Sequence, residues 1–209
     1  MEKELQVISS IMKWLEDCPP SLEELRQRNI ADAKKVVYST LGHNAPSKGC
    51  FELADRYWMC GNVKKGKILS EKPPECSEHF AYYLDDNGKL LCAVATEKQD
   101  GKFVTSEDHY LIDWDQHTVV YGSSYLQRPI DEYTVYMTDD MQRVYAKADM
   151  GACIKNVDLI YFYYDEHNQV NKSYEYSFML LEKKDKLPAH QIKMINGIPY
   201  KYFYSEIWY

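Results

Sequence analysis

Phe80-Ala81-Tyr82-Tyr83-Leu84-Asp85-Asp86-Asn87-Gly88-Lys89-Leu90-Leu91-Cys92-Ala93-Val94-Ala95-Thr96 decides the fold class. Aromatic residues at 80–84 suit a pleated surface. The Asp-Asp-Asn-Gly tetrad ends in residues that tolerate positive φ, so it reads as a hairpin turn. Leu90 to Thr96 then runs back. The same alternation of strand and turn continues outward to Tyr125. Gln99-Asp100-Gly101 turns the chain into Phe103-Val104-Thr105, and Tyr110-Leu111-Ile112-Asp113-Trp114 carries the strand on. Asp115-Gln116 turns it into Thr118-Val119-Val120-Tyr121. Short strands spaced by turn residues predict an antiparallel meander whose successive strands pair. Several segments lack clean alternation, which predicts a sheet covered in part on its second face.

Upstream, Leu5, Ile8, Met12 and Leu15 recur at helical spacing, and Pro19-Pro20 stops the helix. Ser21-Leu22-Glu23-Glu24 is a capping-box pattern. Leu22, Leu25, Ala33, Val36 and Val37 extend an apolar face, so residues 1–42 read as a helical lobe ending near Gly42. His43 to Gly49 reads as a loop and Phe51 to Met59 as a helix or a strand. Downstream of Tyr125, Arg128-Pro129 interrupts the sheet and Tyr133 to Tyr136 is β-like. Met141, Val144, Tyr145 and Ala148 then give i, i+3, i+4, i+7 spacing, which predicts a helix near 140–150. Asp158 to Tyr164 is an apolar-aromatic run. Asp165-Glu166-His167-Asn168 turns it into Tyr174, Tyr176, Phe178 and Leu180, which alternate with other residues. Asn196-Gly197 between Ile192–Ile195 and Ile198–Tyr204 is the strongest hairpin signal of all. The expected architecture is one α+β domain over 1–209, with N-terminal helices packed on a large, twisted, mostly antiparallel sheet occupying 50–209.

Composition bounds the function classes. The chain of 209 residues is long enough for one sizeable core. It holds no apolar run near the roughly 18 residues that span a bilayer. Met1-Glu2-Lys3-Glu4 lacks the order of a signal peptide, so a cytoplasmic location and no membrane partner are expected. Cys18, Cys50, Cys60, Cys76, Cys92 and Cys153 lie far apart, which favours free buried thiols over disulfides. Residues 100–170 hold five Lys/Arg against thirteen Asp/Glu, more than the whole net charge of −7. That acidic middle disfavours nucleic acid and suits a basic partner. Nineteen tyrosines suit either ordinary β packing or an interface core.

Motifs for chemistry are sparse. Gly61 to Lys67 has the glycine and lysine spacing of a phosphate loop, but Ile68 stands where the metal-binding hydroxyl belongs. Cys76-Ser77-Glu78-His79 offers two zinc-ligand types without a second close pair, so neither a metal nor a cofactor is expected. His109 and His117 flank the carboxylates Asp108 and Asp113, the logic of a base oriented by an acid. No Gly-x-Ser-x-Gly elbow accompanies them, and Gly122-Ser123-Ser124 sits in a turn-like place. Asp113 and Asp115 are two apart on a strand and share a face. Beside a turn such residues more often cap it with hydrogen bonds.

The expected function is a non-catalytic binding protein. In size, class and charge, though not in any motif, the chain resembles immunity proteins that neutralise bacterial toxins. That resemblance implies a basic toxin as partner. The candidate contacts are Asp108, Asp113, Asp115, Asp131, Glu132, Asp139 and Asp140, with Tyr110, Trp114 and Tyr121 as aromatic anchors. The alternatives are a hydrolase using His109 or His117 with nearby carboxylates, and an assembly module that pairs through a sheet edge.

Overall fold

Alternation and turn chemistry translate directly into strands. A computed structural model describes residues 2–41, 66–126, 128–130, 132–151, 156–167, 170–180, 193–195 and 198–208. Two helices come first, α1 (Glu2–Asp17) and α2 (Leu22–Asp32). Strands follow: β1 (Lys35–Ser39), β2 (Ile68–Leu69), β3 (His79–Leu84), β4 (Leu90–Gln99), β5 (Lys102–Trp114) and β6 (Thr118–Tyr125). Then come β7 (Glu132–Thr138), β8 (Val144–Gly151), β9 (Asn156–Tyr164), β10 (Val170–Leu180), β11 (Lys193–Ile195) and β12 (Ile198–Trp208). The class is α+β with an antiparallel meander, as the sequence predicts.

The chain forms two compact units. Unit 1 takes residues 1–20, 116–118 and 132–209; unit 2 takes 21–115 and 119–131. Unit 1 therefore joins the first helix to the last strands, with strand order β11-β12-β10-β9-β8-β7. Unit 2 holds α2 and the order β6-β5-β4-β3-β1-β2.

In unit 2 the Ser21 hydroxyl accepts from the Glu24 amide at 3.4 Å, the cap that the sequence announces. Leu25 and Asn29 are the buried residues of α2. At residue 112 the β5–β6 ladder slips by one residue, between Leu111/Tyr121 and Asp113/Val120. Carbonyls at this bulge are taken by the helix. Arg28 donates to Leu111 O at 2.7 Å and to Ile112 O at 3.1 Å, and Asn29 donates to Leu111 O at 3.0 Å. The side chains of Ile112 and Ile130 both lie over Gly122, where an added Cβ would stand 3.0 Å from Ile112 Cδ1 and 3.1 Å from Ile130 Cδ1. Leu90, Leu91, Cys92 and Ala93 are all buried, so β4 is covered on both faces.

In unit 1 α1 buries Leu5, Ile8 and Leu15. It also buries Glu4, whose carboxylate accepts from the Tyr161 hydroxyl at 2.9 Å and from Tyr145 at 3.4 Å. Burial pushes that carboxyl up, but hydrogen bonds from the N-terminal ammonium, the Glu4 amide and the Tyr161 hydroxyl, with the charge of that ammonium, outweigh burial and hold it below the usual range.

Four expectations are corrected. The helical lobe does not reach residue 42: α2 ends at Asp32, Ala33 is extended, and β1 pairs along β3 from Lys35↔Leu84 to Ser39↔Phe80. Val36, Val37 and Tyr38 are β-branched or aromatic, and pairing with β3 wins over the helical period. The helix near 140–150 is strand β8. Its residues fit both periods, but Val144, Ala146, Ala148 and Met150 are the buried apolar set, which is period two. Ahead of the strand Asp139 caps a tight turn: its Oδ1 accepts from the amides of Met141 and Arg143. Gly122-Ser123-Ser124 lies inside β6, not in a turn. Of the described thiols Cys92 is buried, but Cys18 and Cys76 are exposed.

The other hairpins follow the sequence. Asp100 and Gly101 both have positive φ between the paired Gln99 and Lys102, a two-residue turn of the primed type. Ile195 pairs with Ile198 around Asn196-Gly197. Gly42, His43 to Gly49, Phe51 to Met59, Gly61 to Lys65 and the turn residues Asn168 and Asn196-Gly197 lie outside the described residues.

Candidate functional site

The residues singled out from sequence do not gather on one surface. Asp108, Tyr110 and Tyr121 are inside unit 2, at 1%, 0% and 2% exposure. They are core residues, which removes Tyr110 and Tyr121 as aromatic anchors. Tyr110 donates to Asp108 Oδ2 at 2.8 Å, and Tyr121 donates to Leu90 O at 2.7 Å. Burial, then the nearby Cys92 and Asp108, push the Tyr110 phenol well above its ordinary range. Burial likewise pushes the Cys92 thiol up, which makes it a poor nucleophile. Asp113 and Asp115 are exposed at the turn between β5 and β6, and the backbone of Trp114 ends β5 between them. Glu132, Asp139 and Asp140 belong to unit 1. Asp131 lies outside the described residues.

Successive hairpins of a meander alternate ends, so in unit 1 the β7–β8 and β9–β10 turns share one end. Each opens on an aspartate followed by a second acid: Asp139-Asp140 and Asp165-Glu166. The first acid builds the turn. Asp139 also holds Arg143 at 2.8 Å, and Asp165 Oδ1 accepts from the His167 amide at 2.9 Å. Slight burial works against ionising Asp139, but hydrogen bonds from Arg143 and its charge hold the carboxyl below the usual range. The second acid, Asp140 or Glu166, faces solvent. Turn hydrogen bonds thus occupy the first carboxylate of each of these two turns and leave the second to solvent.

The exposed phenols are elsewhere than expected. Tyr163, near the end of β9, is 49% exposed, and its ring meets Tyr174 edge-on with centroids 5.2 Å apart. Tyr161 and Tyr176 form a second edge-on pair at 5.9 Å, half-buried where the Tyr161 hydroxyl meets Glu4 of α1. The Lys172 ammonium stands 4.3 Å from the Tyr174 ring centroid. On the neighbouring strand β12, Trp208, Glu206 and Tyr204 stand at the register positions opposite Lys172, Tyr174 and Tyr176. The signal for this face was the period-two run Tyr174, Tyr176, Phe178, Leu180. What the sequence left open was which face the rest of the chain would cover.

Two polar contacts could carry chemistry. His109 Nδ1 and Ser123 Oγ share a hydrogen bond of 2.7 Å across the directly paired β5 and β6. His117 is exposed on the turn. In unit 1, Lys147 is buried with its ammonium 2.7 Å from Asp149, which also accepts from Thr134 at 2.9 Å. Burying that ammonium demands such a partner. Among the described residues no group of three or more His, Cys, Asp or Glu side chains could hold a metal ion. His79 Nδ1 lies 2.8 Å from Ser77 O, and Cys76 is exposed. Among the described residues no helix is long and apolar enough to cross a membrane.

No protein-family model matches the chain, and neither a curated protein nor a solved structure matches it.

Proposed function

We propose that the protein is a non-catalytic binding protein that docks a basic protein partner on the tyrosine face of unit 1. An immunity protein that neutralises a basic toxin is the specific form of this proposal. One observation carries it: the exposed Tyr163 ring, braced by Tyr174, stands at the end of the unit where Asp140 and Glu166 face solvent. A braced aromatic ring offers contact area at little entropic cost, and rim carboxylates steer a cationic partner. The test uses the partner isolated from the native host and follows association at several salt concentrations. Asp140→Lys with Glu166→Lys should slow association about tenfold at low salt. Tyr163→Ala should speed dissociation. Asp113→Lys with Asp115→Lys asks the same of unit 2 and should change little. Unchanged kinetics in the unit 1 variants would overturn the proposal.

A hydrolase is the alternative, and the 2.7 Å Ser123–His109 contact favours it. A fluorophosphonate reagent should then label Ser123, and lose that label in His109→Ala. No labelling of the folded protein would eliminate it.

A further inference from the structure

Asn87-Gly88 occupies the β3–β4 turn, and Asn87 is exposed. An asparagine before glycine is chemically labile, because no side chain shields the next backbone nitrogen. That nitrogen, once deprotonated, attacks Asn87 Cγ. A nitrogen–carbon bond forms, the Cγ–Nδ2 bond breaks, and ammonia leaves with the proton. Water then opens the cyclic imide at either carbonyl, leaving aspartate or isoaspartate and one more negative charge.

Here the attacking atom is engaged. The Gly88 amide donates to Asp85 O at 3.2 Å. Asp85 Oδ1 accepts from the amides of Asn87 and Lys89, both at 2.8 Å, and the Asp85 amide donates to Lys89 O at 3.0 Å. Gly88 sits at φ +81 with open space around it, so the turn is held by this network and not by packing at the glycine.

We infer that Asn87-Gly88 is a latent deamidation site that the Asp85 cap holds shut. Attack requires the Gly88 amide to leave Asp85 O, so the reaction proceeds only from the opened turn and slows in proportion to the open fraction. Opening converts the turn, slowly and without an enzyme, into one carrying three successive carboxylates at 85–87.

The full-length chain is incubated in mildly alkaline buffer, with and without denaturing urea, and the peptide containing Asn87 is followed by mass spectrometry. Conversion should be at least about tenfold slower in the folded chain. Asp85→Ala should recover much of that difference under native conditions. Equal rates in buffer and urea would overturn the inference from the unmodified chain alone. A folded Asp85→Ala variant as slow as wild type would remove the cap as the cause.

Discussion

The two units solve the same problem with different residues. Each packs one helix on six antiparallel strands, counted among the described residues, of which only four, β3–β6 or β7–β10, run as a meander. In unit 2 the helix is fastened by cationic and amide donors, Arg28 and Asn29, reaching carbonyls at a strand bulge. In unit 1 it is fastened by an anionic acceptor, Glu4, reached by strand phenols. Within each unit the phenols go both ways: unit 2 buries Tyr110 and Tyr121 and turns Tyr125 outward, while unit 1 buries Tyr136 and turns Tyr163 outward. A tyrosine in a strand is thus uncommitted. Its place depends on whether a fixed acceptor, such as Asp108 two residues away, lets the hydroxyl go inside.

The largest effect separates the buried phenol from the exposed one. Tyr110→Ala should cost roughly 3–5 kcal/mol in urea unfolding, as large aromatic deletions in cores do. Tyr163→Ala should stay within about 0.5 kcal/mol. Similar losses for the two would erase the distinction. Where Tyr110→Ala does not fold, Tyr110→Phe should still cost about 1–3 kcal/mol by stripping Asp108 of a donor.

The fastening of α1 comes next. Tyr161→Phe removes the shorter of the two phenol bonds to Glu4 and should cost on the order of 1–2 kcal/mol near neutral pH. The pH dependence has a definite sign. The Glu4 carboxyl is lowered in the folded chain, so the unfolded chain takes up the proton first as pH falls. Its stabilisation is complete above the ordinary carboxylate range and is lost as pH drops through the lowered folded value. Glu4→Gln should flatten this acid limb of a Tm-against-pH curve, and an unaltered limb would show that Glu4 is not its source.

The smallest effect compares two turns of one design. Asp85 to Lys89 and Asp139 to Arg143 share the same backbone hydrogen bonds, with Gly88 at φ 81 and Gln142 at φ 60 in the equivalent position. Unit 2 placed glycine there and unit 1 did not. Gln142→Gly should therefore stabilise by a few tenths to about 1 kcal/mol, and Gly88→Ala should destabilise by a similar amount. A destabilised Gln142→Gly would mean that the Gln142 side chain matters more than its backbone.

These comparisons also mark what could be read from residues alone. The meander, the Asn87-Gly88 and Asp100-Gly101 turns and the Ser21 cap are local features, and local chemistry decides them. Strand β8 was missed because Val144 and Ala148 satisfy two periods at once, and pairing with β7 and β9 chooses between them. Strand β1 was missed because its partner lies over forty residues on. For the candidate site, the carboxylate-bearing turns were visible, but not which acid of each pair is spent on the turn. The division between Tyr110 and Tyr163 depends on distant chain covering one face, which no window of sequence contains.

Because Glu4 meets Tyr161 across 157 residues, the first helix is made long before its partner exists. A nascent chain must carry α1 past the whole of unit 2, whose strands mostly join neighbours in sequence and close only short loops. The interior should therefore assemble before the ends on the ribosome. A stalled chain released just after residue 131 should show protease protection over unit 2 and cleavage within α1; protection of α1 at that length would mean that the helix finds a different early partner.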